Sequence, residues 1–333
     1  MAIVANQQSE IIFQPHIVAE RVGLTIKQRY EQKDLGLESG IKDVDEYLVP
    51  LRPGELVGIL AFTSNFKSGL MSYILRHHAK RLLKAYETDP DHKFIVVTAT
   101  WEQSIEEQGI VDVAQMTHND TSRIMSGDIT EREFQQLLQG AKDRGALPWW
   151  LIGHSIHSKT RRPRLTMTQV DAALAKIEAM GFKPILLSLD YLQRIQREKV
   201  DMREGYMDIV DKSKDLTLSS QCPVLLGCQA KREVVHRKWK LPTVDDGQET
   251  SNFEQSCDKM IGMWMPKNNK PIGSKVEYGD VDEWEVTQNL LLLSILKQKF
   301  GIAPKLIPLN VQPARNEIWG LANESGTPHY FDY

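Results

Sequence analysis

Leu56-Val-Gly-Ile-Leu-Ala61 followed by Phe62-Thr-Ser-Asn-Phe-Lys67-Ser68 is an apolar run, a short polar loop and a Lys-Ser pair, with helical spacing behind it from Gly69 to Tyr86. A phosphate-binding loop has this layout. Backbone N–H groups and a helix N-terminus hold phosphates, the lysine reaches the β- and γ-phosphates, and the hydroxyl ligates Mg²⁺. That reading gives Thr63, Ser64, Asn65, Phe66, Lys67 and Ser68 to nucleotide binding, and Ser68 to the metal. In the pattern G-x-x-x-x-G-K-[ST], however, Ala61 stands at the first glycine and Phe66 at the second. An ordinary strand-to-helix turn with an exposed lysine fits the same letters.

Working outward, further short apolar runs sit at Phe94 to Thr98, Ile185 to Leu189, Val224 to Cys228, Met260 to Trp264 and Leu290 to Leu296. Between the early ones lie stretches with helical spacing: Ile105 to Met116, Glu131 to Lys142, Met167 to Met180 and Tyr206 to Ser219. Strands alternating with helices predict βαβ units around a mainly parallel sheet covered on both faces. After about residue 258 strand-like runs with turns at Lys267-Asn268-Asn269 and Tyr278-Gly279-Asp280 predict an antiparallel extension at the sheet edge. Three of the early strands end in polar groups. Asp190 closes Ile185-Leu-Leu-Ser-Leu-Asp190 and can hold Mg²⁺, although strand-terminal aspartates are common. Glu102 follows the Phe94 strand and can orient and deprotonate an attacking water. Gln229 offers an amide to a γ-phosphate. In a doubly wound sheet, ligands bind at this edge.

The 333 residues give a prior of roughly two domains. Apolar types at 41% and charged types at 26% exclude disorder and collagen-like sequence. No apolar stretch approaches the ~20 residues that cross a bilayer, and the N-terminus lacks a basic region before an apolar one, so a soluble cytoplasmic protein is expected. Cys222, Cys228 and Cys257 lack zinc-ligand spacing and read as buried thiols. With 41 basic and 44 acidic side chains the net charge is -3, so nucleic-acid binding would use local patches. Two basic clusters qualify: Lys159, Arg161, Arg162 and Arg164, and then Lys231, Arg232, His236, Arg237, Lys238 and Lys240 with Trp239 among them. Phosphate neutralisation beside a stacking ring suits single strands, and a solvated charged surface is the rival account. Ile17 to Gln32 forms a mostly polar helix with Val18, Val22, Ile26 and Tyr30 on one narrow stripe, and Gly36 to Gly40 a flexible joint.

From about Gly40 to Asn316 these motifs resemble, in order, the RecA-like motor domain of DnaB-type replicative helicases. Ala61 to Ser68 is similar to the family's A-R-P-S-M-G-K-T loop, and Thr100-Trp-Glu-Gln-Ser104 to the segment bearing its catalytic glutamate. Leu189-Asp-Tyr-Leu-Gln193 resembles its metal-binding D-Y-L-Q, and Gly227-Cys-Gln-Ala-Lys-Arg-Glu233 the segment of its γ-phosphate-sensing glutamine. Lys240-Leu-Pro-Thr-Val-Asp-Asp246, Glu249 and Phe253-Glu-Gln-Ser-Cys-Asp258 follow K-R-P-x-x-x-D-L-R-E-S-G-S-I-E-Q-D-A-D. Leu296-Lys-Gln-Lys-Phe-Gly301 is similar to A-K-Q-R-N-G, which in these hexamers sends a lysine and an arginine finger into the neighbour's site.

The resemblance implies a RecA-like P-loop NTPase core of α/β class and an ATP- and Mg²⁺-dependent helicase acting on single-stranded DNA in replication. It implies catalytic roles for Glu102, Gln229, Lys297 and Lys299, and a metal role for Asp190 beside Ser68. DNA would lie on Lys231, Arg232, Arg237, Lys238, Gln248, Glu249, Thr250 and Ser251. The partners it implies are other copies in a hexameric ring and a primase or loader. Residues 39–333 would be the motor and residues 1–38 an arm docking on the adjacent copy, a stripped motor of the kind a phage or mobile element encodes. Three departures stand against the family pattern. Phe66 stands where the family has glycine, Lys299 stands at the arginine finger, and Gln248 and Ser251 replace an arginine and a glycine near DNA. Phe66 and Lys299 support the alternative of a RecA-like assembly protein that binds nucleotide or DNA with a degenerate ATP site, and Gln248 and Ser251 imply one phosphate contact fewer to DNA.

Overall fold

The computed structural model describes residues 14–31, 36–89, 91–158, 165–247, 252–278 and 282–321. The chain divides into two units, residues 1–37 and 38–333. In the first, helix α1 (Pro15–Tyr30) begins two residues earlier than the periodicity predicts because Pro15 opens its first turn, and Gln32 lies outside the described residues. None of its residues is buried, and Val18, Val22, Ile26 and Tyr30 are all exposed.

The second unit runs α2 (Lys42–Asp45), β1 (Leu56–Ala61), α3 (Lys67–Thr88), β2 (Phe94–Thr100), α4 (Ile105–Met116), α5 (Thr121–Ser126), α6 (Glu131–Ala146) and β3 (Trp149–Ile152). It continues through α7 (Met167–Ala179), β4 (Lys183–Asp190), α8 (Met202–Ser219), β5 (Val224–Gln229), α9 (Asn252–Ser256), β6 (Lys259–Trp264), β7 (Lys275–Tyr278) and β8 (Asp282–Glu285). It closes with β9 (Leu290–Lys297), β10 (Lys305–Gln312) and β11 (Glu317–Gly320). Helix starts follow local chemistry. Ser104 with Glu107, Thr130 with Glu133 and Thr166 with Gln169 form capping boxes on α4, α6 and α7.

Among the described residues the main sheet has nine strands in the order β11-β10-β9-β6-β1-β5-β4-β2-β3. β6, β1, β5, β4, β2 and β3 run parallel. β9, β10 and β11 are added antiparallel. All six residues of β1 and of β6 are buried, as expected of strands covered on both faces. The alternation predicts this α/β layout, and the antiparallel extension begins at β9, one strand later than residue 258 suggests, because β6 still pairs in parallel with β1. β3, α5, β10 and β11 escape periodicity. β10 is half-buried and carries Pro308, which sits just before its pairing with β11 begins at Leu309. The three cysteines are buried and free, and burial pushes the Cys222 thiol up to about 11. Among the described residues no helix is long and apolar enough to cross a membrane.

Candidate active site

At the C-terminal ends of the parallel strands, Ala61 to Gly69 and the side chains Glu102, Tyr191 and Gln229 line a pocket of about 280 Å³. The first amides of α3 lie in its wall without intrahelical acceptors, as at any helix start, and α3 has no acidic residue in its first turn to occupy them. An anion is therefore favoured there.

Lys67 projects from that first turn, and its Nζ donates to Asp190 Oδ1 at 3.0 Å. The same ammonium stands 3.9 Å from the centroid of the Tyr191 ring. Gly227 on β5 makes room for it, since a Cβ there would lie 3.1 Å from Lys67 Nζ and 3.1 Å from Tyr191 Cβ. Asp190 is at the end of β4 behind the lysine, beside the pocket wall. Gln229 Nε2 donates to Thr63 Oγ1 at 2.8 Å, so the end of β5 is tied across to the loop after β1. Its backbone N–H donates to Gln193 Oε1 at 3.0 Å, which puts the last residue of the D-Y-L-Q tetrad under Gln229. Glu102 is exposed at the pocket rim, held by β2 on one side and the Ser104 cap of α4 on the other. Sequence reading missed Arg194. A bond with Tyr191 first, and the charge of Glu102 further off, hold its guanidinium above the ordinary arginine pKa.

The loop adopts two left-handed residues that are not glycine, Ser64 at φ 63° and Phe66 at φ 64°. The Phe66 ring leaves the cradle open by folding along the first turn of α3: a Cβ on Gly69 would lie 2.5 Å from the ring. The steric conflict expected of Phe66 is thus met by the bare backbone at Gly69.

Lys297 and Lys299 lie at the other end of the sheet. Lys297 is in register with Met260 at the start of β6, and its Nζ donates to the Glu254 carbonyl at 2.8 Å. Lys299 Nζ donates at 2.8 Å to Asp258 Oδ1, while Asp258 Oδ2 accepts from Leu56 N–H at 2.9 Å and from Lys214 at 2.5 Å. The length of β1, about 20 Å, separates both lysines from the pocket of their own chain.

The second basic cluster is partly engaged. Arg237 makes a bidentate pair with buried Asp246 at 2.6 and 2.7 Å, and Lys231 donates to the Asp245 carbonyl at 2.7 Å. Lys238 is 86% exposed, 3.6 Å from Glu277, and Arg232 is exposed. Trp239 packs edge-on against Trp264 at 5.2 Å between centroids, in a small apolar cluster with Leu241 and Val286, so its ring is no open stacking platform. Gln248, Glu249, Thr250 and Ser251, and Lys159, Arg161, Arg162 and Arg164, lie outside the described residues.

Comparison with known proteins bears on this arrangement. Residues 36–301 match the family described as DnaB-like helicase C terminal domain. The chain is 20% identical over 273 residues, 80% of its length, to the replicative DNA helicase DnaB of Mycoplasma genitalium, and spans about half of that relative, 52%. The solved ATPase domain of G40P superposes with a TM-score of 0.73 at 15% identity, covering 91% of this chain and 98% of that one. A DnaB-like replicative helicase, solved in work on its interactions with primase, gives 0.71 at 15% identity, covering 91% of this chain and 67% of that one.

Proposed function

Because this chain belongs to the family of DnaB-like helicase C-terminal domains, we propose that it is an ATP-hydrolysing motor that moves single-stranded DNA and completes its sites between copies of itself. The observation that carries the reading is the convergence of the Thr63–Gly69 loop, Lys67 beside Asp190, Glu102 and Gln229 on one pocket. These residues fit a magnesium nucleotide: an open loop, uncovered helix amides, one ammonium, a hydroxyl and a carboxylate. Bound there, it supplies the γ-phosphoryl group and a Lewis acid. Lys67 and the loop would hold the phosphates, Ser68 and Asp190 would hold the metal, Glu102 would take a proton from the attacking water, and Gln229 would hydrogen-bond the γ-phosphate from the end of β5.

Lys297 and Lys299 serve the neighbour's pocket, since their own is a strand length away. A lysine keeps the charge of a finger but not its planar fork, so turnover is slower than with arginine. The neighbour is met by α1. Its exposed stripe of Val18, Val22 and Ile26 suits the apolar groove that Ile110, Val113, Phe134 and Leu138 line between α4, α5 and α6 of the next copy. In the hexameric ring Lys231, Arg232, Arg237 and Lys238 line the DNA path, working in cytoplasmic replication with a primase or loader. Arg237, spent on Asp246, adds the least.

ATPase rate with and without single-stranded DNA, measured beside sizing with nucleotide, tests this. DNA-stimulated hydrolysis by a ring-sized species is expected, and Lys67→Ala lowers the rate by about 10²-fold or more. Binding without hydrolysis or stimulation would replace the motor with the degenerate assembly protein.

A further inference from the structure

We propose that Asn65 and Asn268 form a latch that holds the phosphate-binding loop in its left-handed turns, doing by side-chain hydrogen bonds what glycine does in an ordinary loop. The proposal rests on the nucleotide reading above and assigns two positioning residues to it. Asn65 lies between Ser64 (φ 63°) and Phe66 (φ 64°), conformations that L side chains adopt at a cost. Such a backbone persists only where its surroundings over-determine it.

Asn65 supplies that determination. It is 2% exposed, so its amide addresses the loop and not a ligand. Its Nδ2 donates to the Phe62 carbonyl at 3.1 Å and the Thr63 carbonyl at 3.0 Å, curling the loop around the side chain. Its Oδ1 accepts the Met265 N–H at 2.7 Å, from the turn that follows β6. From that turn Asn268 Nδ2 donates to the Ser64 carbonyl at 2.8 Å and reaches Asn65 Oδ1 at 3.3 Å. The loop is thereby fixed to a segment 200 residues away that lines no part of the pocket. β6 lies beside β1 in the sheet, which brings its exit turn alongside the loop.

If the latch offsets the left-handed backbone, it matters most while residue 66 is not glycine, since Ser64 keeps its left-handed turn in either background. A double-mutant cycle on Mg²⁺–ADP affinity reads this directly. Asn268→Ala is expected to weaken binding about tenfold, the scale of a lost loop-fixing hydrogen bond, with the thermal midpoint of the nucleotide-free protein little changed. In Phe66→Gly, where Ser64 alone keeps a strained turn, the same substitution is expected to cost about threefold. Asn65→Met, tested alone and with Phe66→Gly, which together give the M-G of the family loop, repeats the cycle from the other side and serves if Asn268→Ala does not fold. Equal losses in both backgrounds overturn the latch and leave the nucleotide site standing. No ADP binding by the wild type or by Phe66→Gly overturns both.

Discussion

β1 ends in two regions built on opposite rules. At its N-terminal end Glu55 pairs with Lys259, which is 1% exposed, and Asp258 takes Lys214, Lys299 and the Leu56 amide. Each of these charges has a partner within the chain. Although burial pushes the other way, the two lysines hold the Asp258 carboxyl below its ordinary pKa. At the C-terminal end one ammonium meets one carboxylate, the helix amides are left uncovered, and the backbone is held in turns it would not choose. The first end is finished by folding, and the second is finished by a ligand. The contrast separates the buried Glu55–Lys259 pair, which stabilises, from the Lys67–Asp190 pair, which faces a ligand, though lysine and a carboxylate supply both.

The largest expected break comes from the finished end. Lys259→Ala leaves Glu55 facing an empty buried position and is expected to lower unfolding free energy by roughly 3–5 kcal/mol in urea titrations. Lys259→Met with Glu55→Gln is expected to recover most of that loss, and failure to do so would mean the pair does more than neutralise itself.

Next comes acid. His78 on α3, three turns beyond Lys67, has its Nε2 2.8 Å from the Glu38 carbonyl, and burial pushes its pKa down from 6.5 to about 4. Between those values the unfolded chain binds the proton and the folded one does not. Stability is therefore full above pH 6.5, falls as pH drops toward 4, and loses no more on this account below it, a total of roughly 3 kcal/mol. His78→Gln should flatten the urea-midpoint profile across that window while leaving ADP affinity at pH 7.5 unchanged.

The smallest effect belongs to the open end. In an exposed helix Gly→Ala adds up to ~1 kcal/mol, but at Gly69 the new Cβ would sit 2.5 Å from the Phe66 ring and 2.7 Å from Asn316 Oδ1. Gly69→Ala should push the ring toward the phosphates and weaken ADP binding several-fold by calorimetry. Unchanged affinity would show that the ring has another place to go.

Much of this was legible because buried parallel strands advertise themselves. Leu56–Ala61, Val224–Gln229 and Met260–Trp264 are apolar on both faces and need no context. Polar residues at or just past the ends of such strands, Asp190, Gln229 and Glu102, converge by topology alone. What stayed hidden depends on long-range pairing. Asn268 sits in a turn visible from its letters, yet that it bonds Ser64 follows only from β6 lying beside β1. Arg237 reads as a free cation until the turn at Asp246 folds back on it. Trp239 reads as a stacking ring until it packs into the apolar cluster of Leu241, Trp264 and Val286.

β1 also acts as a gauge block. Six residues set the spacing between the partnered end and the open one, and because side chains alternate faces, adding or deleting one would turn every later residue over. The strand and the phosphate loop that leaves it at Phe62 are both fixed in length. If each copy offers one end to the next copy's other end, the step from copy to copy is fixed by a length that mutation can hardly adjust.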